Sequence, residues 1–289
     1  MSLSNHPFVK MNGLGNEILV VDMRPAPQPL TAADARAAAA AVACDQLMAI
    51  YPPRSAGTDA FVRIFNNDGS EAGACGNGMR CVADLLLNQS RRSALAVETP
   101  AGVLACWPGP DRLTATVDMG APRLRWDEIP LASAAADTRA IDVRVEVEGC
   151  PVLQSPSALS MGNPHAVFFV DGLQAYDLGR LGPLVERHPI FPEGANVSLV
   201  AADGRDHLIV RTWERGAGLT RACGSAACAS LVCASRIGIA AREATVSVPG
   251  GDLRIAWRAD DHVVMTGPVE YEFEGRFDHD LHAGAREGR

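Results

Sequence analysis

Of the 289 residues, one is lysine, Lys10, and arginine supplies all the other basic side chains. Enzymes that work through pyridoxal phosphate hold it as a Schiff base on a lysine. Lys10 opens an expected first strand, Phe8 to Met11, far in sequence from anything resembling a phosphate site, so pyridoxal chemistry is not expected and neither is any cofactor. Long apolar runs are missing too. None approaches the roughly 18 residues of a membrane span, and Met1 to Lys10 has no apolar stretch of the kind a signal peptide needs. No membrane association is expected, and the chain is placed in the cytoplasm. A positive charge excess is the third absence: 34 acidic against 26 basic residues leave a net charge of −8, which argues against nucleic acid as a partner. What remains is globular, 47% hydrophobic and 21% charged. Its length suits two domains of roughly 100–150 residues better than one. The eight cysteines would suggest a disulfide scaffold only in a short secreted chain, so they are read as reduced thiols.

The chain repeats itself. Gly15-Asn16-Glu17 followed by Ile18 to Asp22 recurs as Gly162-Asn163-Pro164-His165 followed by Val167 to Asp171. Arg63-Ile64-Phe65-Asn66 matches Arg211-Thr212-Trp213-Glu214, Cys75-Gly76 matches Cys223-Gly224, and Pro100-Ala101-Gly102 matches Pro249-Gly250-Gly251. The offset stays between 147 and 149 throughout. A duplication explains this, with two similar halves related by a pseudo-twofold and equivalent residues facing a shared cleft, where ligands prefer to bind. Strand-like segments recur in each half (Phe61 to Phe65, Leu95 to Val97, Leu113 to Val117; His207 to Arg211, Ala244 to Val248). Helices are expected over Thr31 to Leu47, capped by Thr31, over Gly78 to Leu87, and over Ser225 to Ile237. The last two are apolar nearly all round, which predicts a buried central helix in each half. The expectation is an α+β chain: residues 1–122, completed by a C-terminal strand within 268–289, and residues 123–267. Ala121 to Gly149 has no counterpart anchor and is read as containing the connection.

Both matched cysteines precede a glycine and then a helix: Cys75-Gly76-Asn77-Gly78 and Cys223-Gly224-Ser225-Ala226. Unpaired N–H groups and the helix dipole favour a thiolate there, which predicts a thiol pKa lowered from about 8.5 towards neutrality. The same N–H groups can cradle a carboxylate. Two such helix starts facing each other would grip one carboxylate and hold a sulfur on each side of the carbon that bears it. That arrangement suits inversion at an α-carbon, one thiolate taking the proton from one face while the other thiol delivers one to the opposite face. Cys44, Cys81, Cys106, Cys150, Cys228 and Cys233 are read as packing residues. The Cys75/Cys81 spacing is wider than that of structural zinc ligands, and no metal is expected.

These motifs, with Met11-Asn12-Gly13-Leu14-Gly15-Asn16, Met79-Arg80-Cys81, Met161-Gly162 and Glu214-Arg215-Gly216-Ala217-Gly218, resemble diaminopimelate epimerase from Phe8 to about Gly267. The resemblance implies two domains, each a barrel-like sheet around a central helix, a homodimer, and pyridoxal-independent interconversion of LL- and meso-diaminopimelate for lysine and peptidoglycan precursors. It assigns Cys75 and Cys223 as the two bases and His165 and Glu214 as their polar partners. Asn16, Gln46, Asn66, Asn163, Asn196, Glu214 and Arg215 fall on its substrate-binding positions, with Gly76, Asn77, Gly224 and Ser225 at the helix starts. A guanidinium and amide or carboxylate oxygens suit the distal amino-acid end of diaminopimelate, and such a site would discriminate against lysine, which lacks the distal carboxylate. Ser225 replaces a threonine common in the family, Leu219 a frequent glutamate and Asn12 a frequent histidine. The rival readings are a proline- or histidine-type racemase on the same scaffold, a phenazine-type isomerase lacking the cysteine pair, and a thiol redox or metal protein.

Overall fold

The computed structural model describes residues 3–278. Their contacts divide the chain into two compact units, one formed by the residues up to Val117 with those from Gly267 onward, the other by Asp118–Thr266. Of the C-terminal segment expected to complete the first half, residues 279–289 lie outside the described residues.

The first unit begins with β1 (Pro7–Gly13), β2 (Asn16–Asp22), α1 (Ala32–Ala41), β3 (Gln46–Tyr51), β4 (Ala60–Asn66) and the short β5 (Glu71–Ala72). The helix α2 (Gly76–Ser90) and the strands β6 (Leu95–Thr99), β7 (Gly102–Pro108) and β8 (Thr114–Asp118) follow. β2 pairs antiparallel with β1 and parallel with β3, β3 antiparallel with β4, and β4 parallel with β6. The series continues antiparallel through β7 to β8. The parallel steps need crossovers, which α1 and α2 supply. α2 packs against β1, β2, β3 and β7, and its buried Met79, Cys81, Val82, Ala83, Leu86 and Leu87 spread round more than one face. The helix is therefore held inside its sheet. Arg91, in the left-handed region at φ 55°, ends it.

The second unit repeats this scheme. It runs through β9 (Arg144–Val145), β10 (Leu153–Gln154), β11 (Ser157–Ser160), β12 (Pro164–Phe169), α3 (Leu178–Glu186), β13 (Asn196–Ala202) and β14 (His207–Glu214). Then come β15 (Gly218–Thr220), α4 (Gly224–Arg236), β16 (Glu243–Val248), β17 (Gly251–Trp257) and β18 (Val263–Pro268). β12 is parallel to β13, β13 antiparallel to β14, β14 parallel to β16 and β16 antiparallel to β17, the order seen from β2 to β7. α4 packs against β11, β12, β13, β14, β16 and β17. The last strand, β19 (Glu270–Arg276), returns to the first unit and pairs antiparallel with β1.

Three expectations change. The helix from Thr31 stops at Ala41 rather than Leu47, although Thr31 does cap it in a reciprocal capping box with Asp34. Asp45 is drawn into the sheet instead: its N–H donates to Glu17 O and its carboxylate accepts from Glu17 N–H, both at 2.8 Å. Tertiary pairing thus overrides alanine propensity and gives Gln46 to a strand. The helix α3 was not expected, because Gly179, Gly182 and Pro183 break the usual helical pattern. The stretch from Ala121 to Gly149 is more than a connection. Its Ile129, Leu131, Ile141, Val143 and Val145 are buried in the second unit's outer core with Leu178, Leu181 and Val185 of α3, each contributing about 1.5–3 kcal/mol if fully removed from water.

Candidate active site

In the first unit the sheet delivers three amide side chains to the start of α2. Gly15, at φ 81°, makes the left-handed turn that opens β2 on Asn16, and Gly162, at φ 94°, does the same before Asn163 in the second unit. Register then aligns Gln46 with Asn66 across β3 and β4. Cys75 is the N-cap of α2, in extended conformation, and its sulfur accepts the Gly78 N–H at 3.2 Å. Gln46 Oε1 lies 2.6 Å from the same sulfur, and Asn16 Nδ2 approaches it at 3.8 Å. Asn16 Nδ2 also donates to Gln46 Oε1 at 3.4 Å, and Gln46 Nε2 donates to Asn66 Oδ1 at 3.2 Å. Behind them Asn77, 2% exposed, accepts from Arg80 Nη1 at 3.0 Å. The first unit therefore joins Asn16, Gln46, Asn66 and Cys75 in one hydrogen-bonded chain.

The second unit gathers its candidates in the same way at α4. Cys223 is the N-cap, extended like Cys75. Its sulfur lies 3.5 Å from Ser225 Oγ, which accepts from Asn163 Nδ2 at 3.4 Å. His165 is fully buried on β12, its Nε2 3.0 Å from Asn163 Oδ1. Since an amide oxygen only accepts, Nε2 carries the proton, and Nδ1 is a buried acceptor with no partner among the described residues. Asn196 Nδ2 donates to Pro164 O at 3.3 Å, while its Oδ1 accepts the Arg215 N–H at 2.9 Å. Arg215 Nη1 in turn donates to Glu193 O at 2.8 Å.

The electrostatics of this half depart from expectation at Cys223. Burial, and then the charge of Glu214, hold its thiol well above the ordinary range, and the Ser225 hydroxyl and Ala226 N–H offset this only in part. The helix start does not make Cys223 a thiolate in the free chain, because desolvation outweighs a dipole worth about 2 kcal/mol at most. Glu214 is itself raised above the usual carboxylate range, first by burial, against hydrogen bonds to Thr220 and Cys223 that pull it down. His165 is pushed down to about 3 by burial, with the Arg215 charge adding to the effect, and is therefore neutral at physiological pH. The packing cysteines are of another kind. Burial drives Cys44 to about 11 and Cys81 and Cys233 to about 12. Among the described residues, no group of three His, Cys, Asp or Glu side chains could hold a metal ion.

Known proteins place both the scaffold and the chain. The fold is that of a class of epimerases. A predicted epimerase from Pseudomonas aeruginosa superposes with a TM-score of 0.68 at 18% identity, covering 94% of this chain and 99% of the other. A hydroxyproline epimerase from Agrobacterium vitis with bound trans-4-hydroxy-L-proline gives a TM-score of 0.68 at 15% identity, covering 94% and 92%. At those identities the likeness concerns architecture alone. Residues 8–125 and 157–272 match the profile of the family described as diaminopimelate epimerase. A diaminopimelate epimerase from Rhodopseudomonas palustris (strain TIE-1) is 58% identical over 285 residues, 98% of this chain and 97% of the relative. The chain belongs to the diaminopimelate epimerase family, which takes precedence over the proline-type and phenazine-type readings.

Two outcomes follow from the second unit. Glu214→Gln removes a negative neighbour of Cys223 and should lower its thiol pKa. Cys223 should then alkylate faster than wild type at pH 7 to 8, as followed by peptide mass mapping with iodoacetamide; an unchanged rate would refute the coupling. His165 takes up no second, charging proton in the folded chain between pH 6.5 and its folded value near 3. The unfolded chain does bind one there, so stability should fall with acidification through that window by about 1.4 kcal/mol per pH unit from this group. Urea unfolding of wild type and His165→Asn at pH 6.5, 5.5 and 4.5 should show the gap in that slope.

Proposed function

We propose that the chain epimerises LL-diaminopimelate to meso-diaminopimelate with Cys75 and Cys223 as its two proton-transfer groups and no organic cofactor. The observation that carries this reading is the N-cap cysteine at the head of a buried helix in each unit, backed by amide-rich side chains at matching strand positions. The thiolate breaks the Cα–H bond and becomes S–H. The opposite thiol gives up its proton to the other face of the carbon and becomes the thiolate, so turnover leaves the pair reversed. Cys223, held protonated by burial and Glu214, enters as the acid. Cys75 accepts N–H from Gly78 and Asn16 and donates its S–H to Gln46 Oε1 in the free chain, and it takes the role of base once that proton is lost to solvent.

The substrate's reacting carboxylate takes the helix starts at Gly76, Asn77, Gly224 and Ser225, where a helix dipole stabilises the charge that builds up as the α-proton leaves. Its distal amino-acid end takes the Arg215 guanidinium for the carboxylate and Asn66, Asn163, Asn196 and Glu214 for the ammonium. Asn16 and Gln46 complete the shell around Cys75. His165, neutral and bonded to Asn163, orients that amide and contributes an acceptor.

The working form is a homodimer in the cytoplasm. Support for the dimer comes from β19, where every residue from Glu270 to Glu274 is exposed, including Tyr271 at 51% and Phe273 at 47%. Two large aromatics on a strand so little covered favour a second copy over water. Among the described residues no helix is long and apolar enough to cross a membrane.

Incubating the chain with LL-diaminopimelate in deuterium oxide should give meso product carrying α-deuterium. Cys75→Ala and Cys223→Ala should each reduce turnover by at least about 10³-fold while leaving the far-UV circular dichroism unchanged. Full activity in either variant would sink the two-thiol mechanism. Sedimentation equilibrium should return twice the 30.5 kDa chain mass, and Tyr271→Glu combined with Phe273→Glu should return the single mass.

A further inference from the structure

Glu186 is the last residue of α3 and belongs to none of the motifs that define the site. Both of its carboxylate oxygens are engaged by the segment that carries Glu214 and Arg215. Oε2 accepts the Trp213 indole N–H at 2.6 Å, and Oε1 accepts the Gly216 backbone N–H at 3.1 Å. The carboxylate thus spans Glu214 and Arg215 and grips the chain on either side of them. Charge-assisted bonds of this kind are roughly twice as strong as neutral ones.

The rest of α3 and the loop after it continue the same support. Gly182 lies so close to the indole that a Cβ there would fall 2.5 Å from Trp213 Cγ, so only glycine lets the ring seat against the helix. After the helix, Glu193 O takes the Arg215 guanidinium, and the Gly194 backbone lies under the arginine stem, where an added Cβ would meet Cδ at 3.1 Å. Residues 182–194 form a bed for Arg215 and its turn. Without Glu186 the turn is left with the Arg215 N–H bond to Asn196 and the Ala217 N–H bond to Glu214 O at 3.1 Å.

We infer that Glu186 is a positioning residue that fixes the Trp213–Gly216 turn so that Arg215 meets the distal carboxylate of the substrate. The inference rests on the function proposed above. Arg215 binds a part of the substrate that does not react, so its contact is the same in ground and transition states. Losing its alignment therefore raises KM and leaves kcat nearly untouched. Glu214, one step earlier, stays in the ladder through its pairing with Gly218. Glutamine at 186 keeps the shape but not the function, because its NH2 cannot accept the second N–H.

The test is steady-state kinetics of full-length variants with diaminopimelate. Glu186→Ala should raise KM at least ten-fold and Glu186→Gln about three- to ten-fold, each with kcat within three-fold of wild type. In an Arg215→Ala background, Glu186→Ala should raise KM no further, since the two act through one contact. Unchanged KM in both Glu186 variants, a loss confined to kcat, or a full multiplicative loss in the Arg215→Ala background would each overturn the inference. Should Glu186→Ala not fold, the KM of Glu186→Gln decides: a rise supports the positioning role and an unchanged value overturns it. A wild-type chain that fails to epimerise diaminopimelate sinks the proposed function with it, whereas an active wild type with indifferent Glu186 variants sinks this inference alone.

Discussion

Everything at the site depends on where two helices begin. A helix leaves its first N–H groups without intrahelical partners, and burying that end is costly unless something accepts from them. In each unit the helix is enclosed by its own sheet, so the open end must lie at the strand ends, and a cysteine occupies the cap. At Cys75 the sulfur itself takes the Gly78 N–H. The property that makes the helix start costly to bury by itself is the one that suits it to an anion.

Duplication supplies two such starts, and the two have diverged in charge. Gln46 and Asn66 are register partners at the ends of β3 and β4, while Asn196 and Glu214 end the corresponding strands β13 and β14. Replacing an amide by a carboxylate at one post leaves the backbone frame alone but changes the neighbouring thiol. Cys75 sits among neutral amides and donates its S–H to Gln46 Oε1, whereas burial and the facing Glu214 hold the Cys223 thiol high. The two capping thiols thus differ in their surroundings by one side-chain charge, added at Cys223 to the desolvation that dominates there.

Repeats and helix starts were readable from residues alone because each is local: a glycine beside a cysteine, an apolar helix, an anchor recurring at one offset. The buried helices agree with their expected spans to within a few residues, as Gly76–Ser90 and Gly224–Arg236. What escaped was decided at long range. Asp45 ends a helix by bonding to Glu17, 28 residues away. α3 is hidden by two glycines and a proline, yet Asp177 caps it just as Thr31 caps α1 at the matching place in the repeat. The high thiol pKa of Cys223 could not be read from a motif that predicts the reverse, since burial is a property of the packed unit. Glu186 was equally invisible, because its partners Trp213 and Gly216 lie 27 and 30 residues along the chain.

The lone lysine completes the physical picture. Lys10 is buried on β1, ion-paired with Glu17 of β2 and within 3.8 Å of Glu272 on β19, the two strands that flank it. A buried ammonium is tolerated only when it is compensated in this way, and removing both partners would leave an uncompensated charge in the sheet. Nucleophilic attack on a carbonyl requires a free amine, whereas this one is committed to holding three strands in register. The single lysine side chain of the sequence is thus a strut of the first unit, remote in sequence from the capping thiols at the heads of α2 and α4.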